Sequence, residues 1–240
     1  MLEPNGRVIM VSGAGRGIGS AIAARLHREG YALSLAARDL PSLQAATEDW
    51  SQTGGGAVSC HRFDAFDAES QNEWVADCVA GHGRLDGLVN NAGVIEPFSL
   101  TEFDDRGLDA MWEVNVKTPA RLASLVYPHL LAADHGRVVN IASMSGKRVR
   151  GGFEPGYAMT KHAVMALTHA TRQQWWDDGI RATAICPSWV ETDMIDGVDY
   201  GAEPVIQADD VAALVSTALA LPDHVSVAEL AINCRREDLY

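Results

Sequence analysis

Five short apolar runs, each closing in turn chemistry, alternate with longer stretches of helical periodicity, and this alternation constrains the fold more than any other feature of the chain. The runs are RVIMVSG (7–13), YALSLAAR (31–38), LDGLVNN (85–91), GRVVNIAS (136–143) and IRATAICP (180–187). They are short and nearly continuous in apolar content, as strands buried on both faces must be. Between them lie GSAIAARLHREG (19–30), LPSLQAATEDW (40–50), AESQNEWVADCVAGHG (68–83), the long stretch 101–133 and AMTKHAVMALTHATRQQWW (158–176), all with helical spacing of apolar residues. Strands separated by helices join through right-handed crossovers and run parallel. The expected fold class is α/β, a doubly wound parallel sheet with helices on both faces. No repeat, low-complexity tract or linker divides the sequence, so residues 1–240 are expected to form a single domain. The least regular part, about 188–207, is expected to loop over the strand ends, where ligands of such sheets sit.

Charge and composition remove several function classes. The 19 Lys and Arg against 32 Asp and Glu give a net charge of −13, with no basic stripe for a nucleic-acid backbone. No apolar run approaches the ~20 residues a membrane helix needs. The start MLEPNGRVIMVSGAG lacks the basic and then apolar order of a signal peptide, so a soluble, cytoplasmic protein is expected. Cys60, Cys78, Cys186 and Cys234 are far apart and form no C-x-x-C pair. The eight histidines show no metal-ligand spacing; His27, His61 and His82 read as surface or loop residues, and no metal is expected.

Directly after the first apolar run comes SGAGRGIG (12–19). Gly13, Gly17 and Gly19 permit a tight turn, a close backbone approach and helix–strand packing, while the free amides of a helix start favour an anion. Three residues separate the first two glycines, unlike the G-x-G-x-x-G of most dinucleotide sheets. Further along, GYAMTK (156–161) places Tyr157 four positions before Lys161, one of only three lysines. On a helix the two share a face, and a phenol beside a cation is a candidate acid.

The G-x-x-x-G-x-G loop, NNAG at 90–93, Asn115 in VNVKTP, Ser143 in NIASMSG and the Tyr157–Lys161 pair occur in one order over nearly the whole chain. Together they resemble the short-chain dehydrogenase/reductase family. The resemblance implies a Rossmann-type sheet and an oxidoreductase with catalytic residues Asn115, Ser143, Tyr157 and Lys161. It also implies a cofactor site of Gly13, Arg16, Gly17, Ile18, Gly19, Asn91, Ala92, Gly93, Pro187, Val190 and Thr192, joined by Tyr157 and Lys161. NNAG would support the adenine side, and Asp64 resembles the family's adenine-contacting aspartate. Tyr157 would exchange a proton with the substrate oxygen while hydride moves to or from the nicotinamide. A free phenol, with a pKa of ~10, needs Lys161 and the oxidised ring to act as a base near neutrality. Ser143 would hold the substrate oxygen, and Asn115 a water linking Lys161 to solvent. Two departures stand out: 14 positions separate Ser143 from Tyr157, one more than expected, with Gly151, Gly152 and Gly156 able to absorb it, and Pro187 is followed by Ser188 where glycine is usual.

At the end of the second run Ala37 occupies the family's acidic position and Arg38 follows it. An arginine suits the extra phosphate of NADP, and Arg16 supplies a second cation, so NADP is expected over NAD, with Asp39 as the contrary sign. The substrate is expected to be a small carbonyl or alcohol. Met144, Phe153, Trp189 and Met194 are candidate walls, with Arg148 and Arg150 nearby, and residues 209–234 resemble the subgroup acting on small hydroxy acids. The helices over 101–133 and 157–178 are those through which family members dimerise or form tetramers, so a homo-oligomer is expected. A catalytically silent NAD(P)-sensing regulator of the same fold is the competing reading. It would be expected to break the Ser, Tyr or Lys position, and all three are intact.

Overall fold

The computed structural model describes residues 1–52, 54–149, 155–195 and 204–236. Its centre is a seven-stranded parallel sheet of order β3-β2-β1-β4-β5-β6-β7, built from β1 (Val8–Ser12), β2 (Ala32–Ala37), β3 (Val58–Arg62), β4 (Gly87–Asn90), β5 (Arg137–Ile141), β6 (Arg181–Pro187) and β7 (Glu229–Ile232). Register is fixed by pairs such as Val8↔Ala32 and Val11↔Val89. β1, β4 and β5 are buried at every residue, which is why they read as unbroken apolar runs.

The helices are α1 (Gly17–Arg28), α2 (Leu40–Thr47), α3 (Ala68–His82), α4 (Asp105–Trp112), α5 (Thr118–Leu131), α6 (Pro155–Trp175) and α7 (Ala208–Ala220). One face of the sheet packs Ile9, Val11 and Val89 against Ile22 and Leu26 of α1 and Val215 and Leu219 of α7. The other packs Val8, Met10 and Leu88 against Trp74 of α3 and Leu122 and Val126 of α5. Strand order reverses between β1 and β4, and the crevice at a switch point of this kind is where open α/β sheets take ligands.

The stretch 101–133 is not one helix. A π-helical turn, Glu113–Lys117, lies between α4 and α5. Pro119 has no N–H to give the Asn115 carbonyl in an α ladder, and just ahead of it the Thr118 amide bonds the Glu113 carbonyl, five residues back. His27 corrects the surface reading: it is buried and stacks on Trp50 with ring centroids 4.9 Å apart, at the end of α1.

Candidate active site

The glycine loop is a cradle with no room for a side chain at Gly13 or Gly19. Gly13 and Gly17 have φ of +66° and +55°, which L residues rarely adopt. A Cβ on Gly13 would sit 2.9 Å from the Ala92 Cα, and one on Gly19 would overlap the Gly13 carbonyl oxygen. Ser12 and Asn91 brace the loop. The Ser12 hydroxyl accepts from the Asn91 and Ala92 amides at 3.0 and 3.1 Å, and the Asn91 side-chain amide donates to the Ser12 and Gly13 carbonyls at 3.1 Å. Asn91 and Ala92 therefore shape the loop. The Ile18 side chain packs on the α1–α7 core. Caps sharpen the picture: Asp39, Asp67, Asp104 and the Gln207–Asp210 pair cap α2, α3, α4 and α7, whereas α1 has neither a side-chain cap nor an acid in its first turn. Its leading amides fit an anion such as a diphosphate.

Beside this loop, the backbone of Gly15 lies against Ala37, a Cβ there reaching to 3.3 Å of the Ala37 Cβ. Arg38, next in the chain, is exposed, and its guanidinium has no partner among the described residues. Asp39 is occupied: its two carboxylate oxygens accept from the Ser42 amide at 3.1 Å and the Ser42 hydroxyl at 2.6 Å, bonds that hold its pKa down. Arg16 does not turn toward Arg38. It pairs with Asp193 at 2.6 Å. Asp64 follows β3, where the Phe63 amide bonds the Ala37 carbonyl, and its carboxylate accepts from the Phe66 amide at 3.0 Å.

At the ends of β4 and β5 three elements converge. The π turn points Asn115 inward, where its side chain accepts from the Val94 amide and donates to the Val94 carbonyl, both at 2.9 Å, and donates to the Thr160 hydroxyl at 3.1 Å. Asn115 thus ties the turn after NNAG to α6, one residue before Lys161. Lys161 is buried and donates to the Ile141 carbonyl at 2.9 Å. Burial pushes its pKa down to about 8. Its ammonium stands 5.4 Å from the centre of the Tyr157 ring, so the helical spacing does make them neighbours. Burial drives the Tyr157 pKa up to about 12, with a hydrogen bond from Ser143 drawing the other way. Ser143, extended at the end of β5, also accepts from the Ser145 amide at 3.0 Å.

The β6 exit completes the site. Pro187 ends the strand, and Ser188 adopts no left-handed backbone, so the usual glycine is not required here. Its amide bonds the Ile232 carbonyl at 2.9 Å, and its hydroxyl accepts from the Cys234 amide at 3.1 Å, holding the path to β7. Val190 is buried and bridges Ile206. Thr192 lies over Gly17, its methyl 3.2 Å from where a Cβ would stand. Among the candidate walls Met144 belongs to the core beneath α6, Trp189 is half-buried and Met194 is exposed. Arg148 is half-buried, and its amide bonds the Met144 carbonyl at 3.2 Å. Phe153, Arg150, Gly151 and Gly152 lie outside the described residues. Gly156 sits inside α6 at a point where a Cβ would come 2.6 Å from Met111, so it serves close packing. Ser12, Thr160 and Asp193 went unmarked in the sequence. A serine directly ahead of the first glycine was the one available signal.

The profile of the short chain dehydrogenase family matches residues 7–201. The agropine synthesis reductase of Rhizobium rhizogenes is 40% identical over 235 residues, covering 97% of this chain and 54% of that protein, so the chain spans about half the length of this curated relative. A metagenomic short-chain oxidoreductase in complex with NADP superposes with a TM-score of 0.84 at 28% identity, covering 98% of this chain and 100% of that one. An alcohol dehydrogenase from the archaeon Thermococcus sibiricus, complexed with 5-hydroxy-NADP, gives 0.86 at 29% identity, covering 97% and 99%.

Proposed function

The chain belongs to the short-chain dehydrogenase family, and on that footing we propose that it is an NADP-dependent oxidoreductase moving hydride between the nicotinamide and a small carbonyl or alcohol, with Tyr157 as acid and base. The observation that carries this reading is the meeting of Ser143, Tyr157 and Lys161 at the carboxyl end of β5. When bound, the cofactor supplies or accepts the hydride. Tyr157, with its pKa near 12, keeps its proton at neutral pH and is suited to give it to a carbonyl oxygen. Ser143, whose hydroxyl draws the phenol's pKa down against burial, is positioned to orient that oxygen beside it. Lys161, near the ring, favours the phenolate in the opposite direction.

The choice of NADP is supported by Arg38, whose guanidinium has no partner among the described residues, and by Asp39, whose carboxylate is spent on capping α2. The NADP complexes of similar proteins agree with it. We read the sheet and its helices as one cofactor-binding domain. Trp112 on α4 and Met159 on α6, both exposed, support association of copies through those helices.

The test is NADPH consumption against a panel of ketones, aldehydes and 3-keto acids. Tyr157→Phe should lower kcat by about 100-fold or more, the scale of a lost general acid. A variant as active as the parent overturns the mechanism.

A further inference from the structure

We infer that Asp193 sets the affinity for the phosphorylated cofactor by competing with its 2′-phosphate for the Arg16 guanidinium. This rests on the NADP reading above. Two consecutive residues of the segment after β6 hold two consecutive residues of the glycine loop: Asp193 pairs with Arg16 at 2.6 Å, and the Thr192 methyl lies on Gly17. The base of the segment is anchored by the Val190–Ile206 bridge and by the Gln207 amide donating to the Glu191 carboxylate at 2.8 Å. The contact therefore joins the start of α1 to the β6 exit through a segment held at its root.

The two cations assigned to the phosphate stand in different states. Arg38 has no partner among the described residues, whereas Arg16 is held by a carboxylate. A 2′-phosphate recruiting Arg16 must first displace Asp193, and a cofactor lacking that phosphate has no reason to. Both partners are largely exposed, at 70% and 65%, so the exchange is easy and its effect modest.

The test is calorimetric titration of NADPH and of NADH into the parent, Asp193→Asn, Arg16→Ala and the double variant. Asp193→Asn should tighten NADPH by about two- to fivefold, the range of an exposed ion pair, and leave NADH binding as in the parent. In the Arg16→Ala background the same substitution should change nothing. Equal tightening of both cofactors, or tightening that survives loss of Arg16, would reduce Asp193 to a general negative charge and overturn the competition. An unaltered NADPH affinity would overturn it too. Failure of the parent to bind NADPH at all would instead remove the NADP reading beneath it, and retained NADH binding reports that each variant is folded.

Discussion

Lys161 keeps an ammonium where burial disfavours one. It is 5% exposed, has one hydrogen bond to a carbonyl, and its pKa falls from 10.5 to about 8. Below pH 8 both folded and unfolded chains carry the proton, so the penalty of the buried charge is fully present. Between about 8 and 10.5 the unfolded chain binds the extra proton, and stability rises with pH until the penalty is gone. Lys161→Met should therefore stabilise the protein at pH 7 by about 1–2 kcal/mol in urea titrations, while removing turnover. The gain should shrink toward zero by pH 10.5, and a gain constant with pH would mean it comes from packing alone. Residues of this kind were legible because their chemistry needs fixed spacing: Tyr157 and Lys161 share a helical face. Asp193 was not, because its partner Arg16 lies 177 positions away and nothing local marks the pair.

At the scale of elements, the five strands legible in the sequence are the five interior ones. The two missed, β3 and β7, are the edges of the sheet, where residues are only partly buried and the apolar run breaks down into VSCHR and ELAI. The helix expected over 101–133 failed for a different reason. Its apolar periodicity continues through the π turn, and only Pro119 and the poor helix formers around Asn115 mark the break. That break matters because it turns Asn115 into the core, where one amide satisfies both backbone groups of Val94 and reaches Thr160. Asn115→Ala would leave those part-buried groups, and the buried Thr160 hydroxyl, without this partner. The expected loss is about 2–3 kcal/mol in thermal or urea unfolding, accompanied by a lower kcat as α6 loses its tie to the NNAG turn.

The whole molecule carries a charge of −13, which at long range repels an anionic dinucleotide. Screening confines that repulsion to about 8 Å at physiological salt, so cations at the crevice decide the outcome. The parallel sheet brings their backbones to one corner: Gly15, beside Arg16, packs on Ala37, beside Arg38, because β1 and β2 end in register at Ser12↔Ala36. Arg38 is the member with no competing carboxylate among the described residues, since Asp39 is turned to Ser42. A charge-assisted contact between a guanidinium and a phosphate is worth about 1.5–3 kcal/mol, or about 10- to 100-fold. Arg38→Ala should raise the KM for NADPH by that factor and leave the KM for NADH within about twofold. The parent's KM for NADPH should also climb more steeply with added salt than the variant's, because one fewer ion pair remains to be screened. Equal increases for the two cofactors would mean that the guanidinium does not reach the phosphate, and that the acidic surface governs cofactor choice by some route other than this corner.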